Sequence, residues 1–67
     1  MAEIPDYVID ALEYVRETGE TNMFGRDAVI KIAYDNEFHE AALWLHDNKR
    51  LYVDALHALG ERLSSDE

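Results

Sequence analysis

The feature that most constrains this chain is the spacing of its apolar residues, which recur at steps of three and four within short segments, each cut off by a turn residue. Val8, Leu12 and Val15 stand at i, i+4 and i+7, with Ile9 and Ala11 widening the stripe; this is the pattern of one buried helix face. Pro5 suits a first helical position, Asp6 the positive end of the helix dipole and Gly19 a C-terminal stop, so a helix is expected over 5–18. A second helix fits 26–35, with Val29, Ile30 and Ala33 inward, Asp27 in the first turn and Gly25 or Asn22 as its cap. Asn36 reads as a turn residue that tolerates a left-handed backbone. A third helix is expected over 37–46, where Phe38, Ala41, Ala42 and Leu45 keep helical spacing and Trp44 lies on the flank. Asp47 and Asn48 break the pattern and can cap a fourth helix over 49–59, with Tyr52, Leu56 and Leu59 inward and Gly60 as its end. Residues 61–67 read as a frayed polar tail, although Leu63 continues the stripe and could add a turn. No alternating run bounded by a hairpin turn survives. The expectation is an all-α fold, a compact bundle of about four short helices forming one small domain over 1–67.

At 67 residues such a bundle has a marginal core, the size at which staples or self-association are often recruited. There is no cysteine, which excludes disulfides and thiolate metal sites. Helix packing remains, and a homodimer is expected to help it. The apolar runs are far shorter than the ~20 residues that span a bilayer, and the N-terminus has no signal pattern, so a soluble protein in the cytoplasm is expected. Fifteen acidic against six basic residues give a formal charge of -9. That charge repels phosphate backbones and anionic lipid, so no direct nucleic-acid or membrane partner is expected.

The stretch "GETNMFGRDAVIKIA", residues 19 to 33, places Met23 and Phe24, both large and apolar, where a solvated turn should be. One reading turns both inward as a plug closing the end of the core, with Thr21 and Asn22 satisfying backbone donors. The other leaves them exposed as a partner-binding tip.

Asp6, Asp10, Glu13 and Glu17 form an acidic stripe along the first helix, at a cost of a few tenths of a kcal/mol (~0.2–0.5) per like-charge pair. It reads as a solvated face, as an anionic ladder imitating nucleic-acid phosphates for a basic partner, or as adaptation to high salt.

Signs of catalysis are lacking. "HEAAL", residues 39 to 43, lacks the second histidine of the zinc-protease helix motif, since Leu43 stands there. His39, His46 and His57 form no local ligand pair, so no metal or other cofactor is expected. No serine sits in a nucleophile elbow, and Gly19 and Gly25 belong to no phosphate-binding loop. A groove-reading helix at "EFHEAALWLHDN" would present Glu37, Glu40 and Asp47 and no Arg or Lys. Arg26, Lys31, Lys49 and Arg50 are flanked by acids and should form local pairs worth under ~1 kcal/mol each.

The segment "TNMFGRDAVIKIAYDNEFHEAALWLHDNKRLYVDAL" resembles a family of domains of unknown function found in very small proteins of phages and prophages of Gram-positive bacteria. The matching positions are Thr21, Asn22, Met23 and Phe24, then Val29, Ile32 and Ala33, then Phe38 and Glu40, and finally Asn48, Lys49 and Tyr52. The likeness runs from about Val8 to Gly60. Two positions depart from it: the family has aspartate where Gly25 stands, a better helix cap, and an aromatic residue where His39 stands. The resemblance implies a genetic setting and no reaction, and it favours small accessory proteins that bind and block a host protein.

The functional expectation is therefore a non-enzymatic interaction protein, in its concrete form an inhibitor of a host-defence protein. Phe24, Trp44 and Tyr52 would be its aromatic anchors, and Asp6, Asp10, Glu13 and Glu17 would steer a basic partner. A second reading is a dimer that sequesters a nucleotide or other small molecule, using some of Arg16, Arg26, Lys31, Lys49, Arg50 and Arg62. A third is a structural or packaging accessory.

Overall fold

Helical periodicity turns into four α-helices in the computed structural model, which describes residues 3–65: α1 at Asp6–Thr18, α2 at Arg26–Asp35, α3 at His39–Asp47 and α4 at Tyr52–Ser65, the last preceded by a 3-10 turn at Lys49–Leu51. Helix α1 is the hub. It packs against α2, α3 and α4, whereas α4 leans chiefly on α1. Val8, Leu12, Val15, Val29 and Leu45 are fully enclosed, and Ala33, Ala41, Ala42 and Ala55 let the helices approach around them. The radius of gyration, 10.8 Å, is close to the value of about 11 Å for a folded chain of this length. The fold is thus the expected compact all-α bundle of four short helices.

The helix ends show how the sequence works locally. Pro5 precedes α1 and its carbonyl accepts from the N–H groups of Val8 and Ile9, while Gly19 closes the helix at φ 65° with its N–H on Arg16 O. Before α2, Asn22 Oδ1 accepts the N–H of Phe24 at 2.8 Å and Asn22 O accepts that of Gly25 at 2.9 Å. This is an Asx turn that feeds the chain into the helix.

Several boundaries differ from expectation for identifiable reasons. The left-handed residue after α2 is Glu37 at φ 72°, one position beyond Asn36, whose φ is -105°. Glu37 N–H donates to Tyr34 O and Phe38 N–H to Ala33 O, which is the paired bonding of a Schellman motif with glutamate at the usual glycine position. That motif uses up Glu37 and Phe38, so α3 starts at His39 and not at 37. Asn48 holds the cap position before the 3-10 turn, where its carbonyl accepts the Leu51 N–H, but its side chain caps nothing ahead of it: its backbone N–H and its Nδ2 both donate back to Trp44 O and close α3. Gly60 does not end α4, which continues to Ser65. Beyond Gly60, Arg62 reaches back to α1 and Leu63 packs against the core, so the last turn is held by side chains. The expected fray therefore fails through Ser65, and its remainder, 66–67, lies outside the described residues.

Candidate protein-binding surface

Where Met23 and Phe24 point settles the question raised by the α1–α2 linker, and they part company. Met23 is half-buried against the core, whereas Phe24 is 81 % exposed. Only Met23 plugs the end of the bundle; the inward reading of Phe24 is corrected. Tyr52, whose spacing predicted an inward position and which was also expected as an aromatic anchor, is 6 % exposed and belongs to the core, so the anchor role is corrected. Its hydroxyl donates to Met23 O, which ties the start of α4 to the linker. Burial pushes its pKa up to about 12 against a small opposing effect of the Arg26 charge. Trp44 is half-buried against the core. The three rings therefore do not form one exposed aromatic surface.

The acidic stripe is also altered by tertiary structure. Arg62 of α4 lies 2.5 Å from Asp10, 3.4 Å from Glu13 and 3.8 Å from Asp6. Three of the four carboxylates thus face one guanidinium, and the hydrogen bond with Asp10 raises the arginine pKa further. Four negative charges against one positive charge leave a local balance of -3. Lys31 pairs locally with Asp35 at 2.9 Å, whereas Arg26 lies 3.7 Å from Asp27 and also reaches across to α3, donating to Leu45 O.

The exposed aromatic surface lies instead where α1 meets the α2–α3 turn. Tyr7 and Tyr14, two turns apart on α1, and Tyr34, at the end of α2, are all exposed. Half-buried Phe38 sits among them: its ring is 5.4 Å from that of Tyr14, and the Tyr34 and His39 rings are 4.4 Å apart. Tyr14 donates its hydroxyl to Asn36 Oδ1 at 2.8 Å, and Asn36 Nδ2 donates to Ile32 O. Tyr14 and Tyr34 are therefore braced, with less side-chain freedom left to lose on binding. Between them Tyr7, Glu37, Phe38, His39, Glu40 and Ala41 line a cleft of 390 Å³. That volume lies at the low end of the ~300–1,000 Å³ range of ligand pockets, a fit for one or two side chains of a partner. A lining that combines aromatic rings with two acidic residues, Glu37 and Glu40, favours a cation, through cation–π attraction and ion pairing.

Sequence reasoning missed Tyr7, Tyr14 and Tyr34, though a signal was present. Each stands one position from a buried residue, Val8, Val15 and Ala33, so each ring lies at the margin of a buried face. A second exposed region runs along α4, where Val53, Leu56, His57, Gly60, Glu61 and Ser64 line an open groove of 650 Å³ together with Phe24.

Among the described residues, no group of three or more His, Cys, Asp or Glu side chains is arranged to hold a metal, and no helix is long and apolar enough to cross a membrane. Fold and surface together define a small four-helix bundle whose outstanding exposed feature is a tyrosine-rich corner. The chain belongs to the family described as "Domain of unknown function (DUF5049)", whose model matches residues 4–56. No curated protein and no solved structure matches the chain.

Proposed function

We propose that this protein is a non-enzymatic accessory that acts by binding another protein through the tyrosine corner, and that the bound surface is basic. The observation that carries the reading is the cleft lined by Tyr7, Phe38 and His39 together with the acidic residues Glu37 and Glu40. A lysine or arginine of the partner fits that chemistry, and the surrounding tyrosines add contact area at low entropic cost. The charge of -9, with the α1 carboxylates contributing, accelerates encounter with such a partner at low salt. The likeness of the Thr21–Phe24 element to small phage and prophage proteins favours a phage setting, with a host-defence protein as the target.

The test is capture of host proteins by immobilised wild type, Tyr7→Ala and Glu40→Lys chains, each first shown to fold by circular dichroism. The expected result is a basic protein retained by wild type, with affinity at least about tenfold lower for either variant, or about 1.4 kcal/mol. Salt should weaken the wild-type complex. Equal retention by all three chains would remove the corner from the binding surface.

A further inference from the structure

The groove on α4 calls for an occupant of its own. Val53, His57, Gly60 and Ser64 follow helical steps along one side of α4, and Leu56 and Glu61 flank them. Helix α4 packs chiefly on α1, and Phe24 stands beside this side of it. Phe24 and Val53, 81 % and 58 % exposed, have no polar tip to keep hydrated. We propose that this groove is a self-association interface in which α4 of a second copy lies antiparallel to α4 about a two-fold axis.

Three features select a second copy as the occupant. The first is symmetry, because a two-fold interface must be complementary to itself. An antiparallel pair centred between His57 and Gly60 sets His57 of one copy against Gly60 of the other, and Val53 against Ser64. A Cβ placed on Gly60 meets nothing within 4 Å in the isolated chain, so the space above it is open to receive that imidazole. The second is charge. Two chains of -9 repel unless they meet where acids are sparse, and the groove lining holds one carboxylate, Glu61, and one imidazole, His57. Antiparallel pairing sets each His57 beside Glu61 of the other copy. The third is size: a 67-residue chain without disulfides gains most from burying apolar surface between copies.

The interface shares no lining residue with the tyrosine cleft, so the two proposals stand or fall separately. The experiment is the solution mass of the full chain by light scattering from micromolar to millimolar concentration, beside Gly60→Gln and Val53→Glu. Wild type should pass from the one-chain to the two-chain mass, and both variants should associate at least about tenfold more weakly. Gly60→Gln should at the same time raise the melting temperature of the dilute protein, because glutamine is the better helix former and its Cβ meets open space. Lost association with raised stability cannot come from misfolding. A one-chain mass for wild type throughout overturns the proposal, as does a two-chain mass that survives both substitutions.

Discussion

The tyrosine corner and the α4 groove are both exposed and both carbon-rich, yet they are built to different rules. At the corner two of the three tyrosines have a second contact: Tyr14 with Phe38 and Asn36, Tyr34 with His39. A tyrosine hydroxyl keeps its water or its protein acceptor whether or not a partner is present, so such a surface is stable bare and ready for intermittent contact. The groove offers Phe24 and Val53, whose exposed carbon has no such compensation at about 25 cal/mol per Å². The difference teaches that exposure alone does not define a docking surface. The atoms at the tips of the exposed side chains decide whether covering is occasional or standing.

The largest expected effect that separates the two regions comes from Tyr52→Phe. The Tyr52 hydroxyl on Met23 O fixes the linker that presents Phe24 to α4. Without it the Met23 carbonyl loses its donor, at a cost of about 1–2 kcal/mol readable by urea unfolding. Self-association should weaken while corner binding persists; loss of both would show that the regions are coupled through the core. The same residue gives a pH signature. Its folded pKa of about 12 lies above the ordinary 10.0, so the neutral phenol is favoured in the native state. Stability from this group is complete below pH 10 and is lost as pH rises from 10 towards 12, by up to about 2 kcal/mol. Tyr52→Phe should lack this alkaline limb.

Glu37→Gly tests the other side of the comparison. Glu37 holds a left-handed backbone at φ 72°, a conformation that costs a side-chain-bearing residue roughly 1–2 kcal/mol and glycine almost nothing. The greater freedom of glycine in the unfolded chain takes back part of that gain, leaving about 0.5–1 kcal/mol of added stability. The variant also removes a carboxylate from the cleft, so affinity for a basic partner should fall as the melting temperature rises. Unchanged affinity would take Glu37 out of the binding surface and leave its strained backbone without a functional counterpart.

How much of this was legible in the sequence follows from how local each feature is. The stripes Val8–Leu12–Val15 and Ala41–Ala42–Leu45 are set by helical repeat alone, and all six side chains are buried. The helix boundaries were harder, because they depend on hydrogen bonds that residue type does not dictate: the Schellman turn uses glutamate, and α4 runs through Gly60 because Arg62 finds partners on α1. The surface was hardest. Tyr52 fits both a buried stripe and an aromatic anchor by spacing, and its hydrogen bond across 29 positions to Met23 decides for the core. Tyr7, Tyr14 and Tyr34 come from two helices, so only the packing of α1 on α2 and α3 brings them to one corner.

The smallest expected effect lies at Gly25, beside the ring that defines the groove. Gly25 occupies the cap position of α2 at φ -84°, where any L residue is allowed, and no side chain caps the helix there. In Gly25→Asp the new carboxylate can accept from the free N–H groups of the first turn and sits at the positive end of the dipole, for a gain of a few tenths of a kcal/mol (~0.3–0.5) over glycine. Against this, its Cβ lies 3.3 Å from Asn22 O, the atom that accepts the Gly25 N–H, so the Asx turn must yield slightly. Exposed Asp27 adds a like charge nearby. The gain should survive these as a rise of about 1–2 °C in the melting temperature. Because the cap also steadies Phe24, self-association should strengthen in step while corner binding stays constant. A lower melting temperature would mean that the Asn22 turn, and not the cap, sets where α2 begins, and that the groove owes the position of its aromatic wall to that turn.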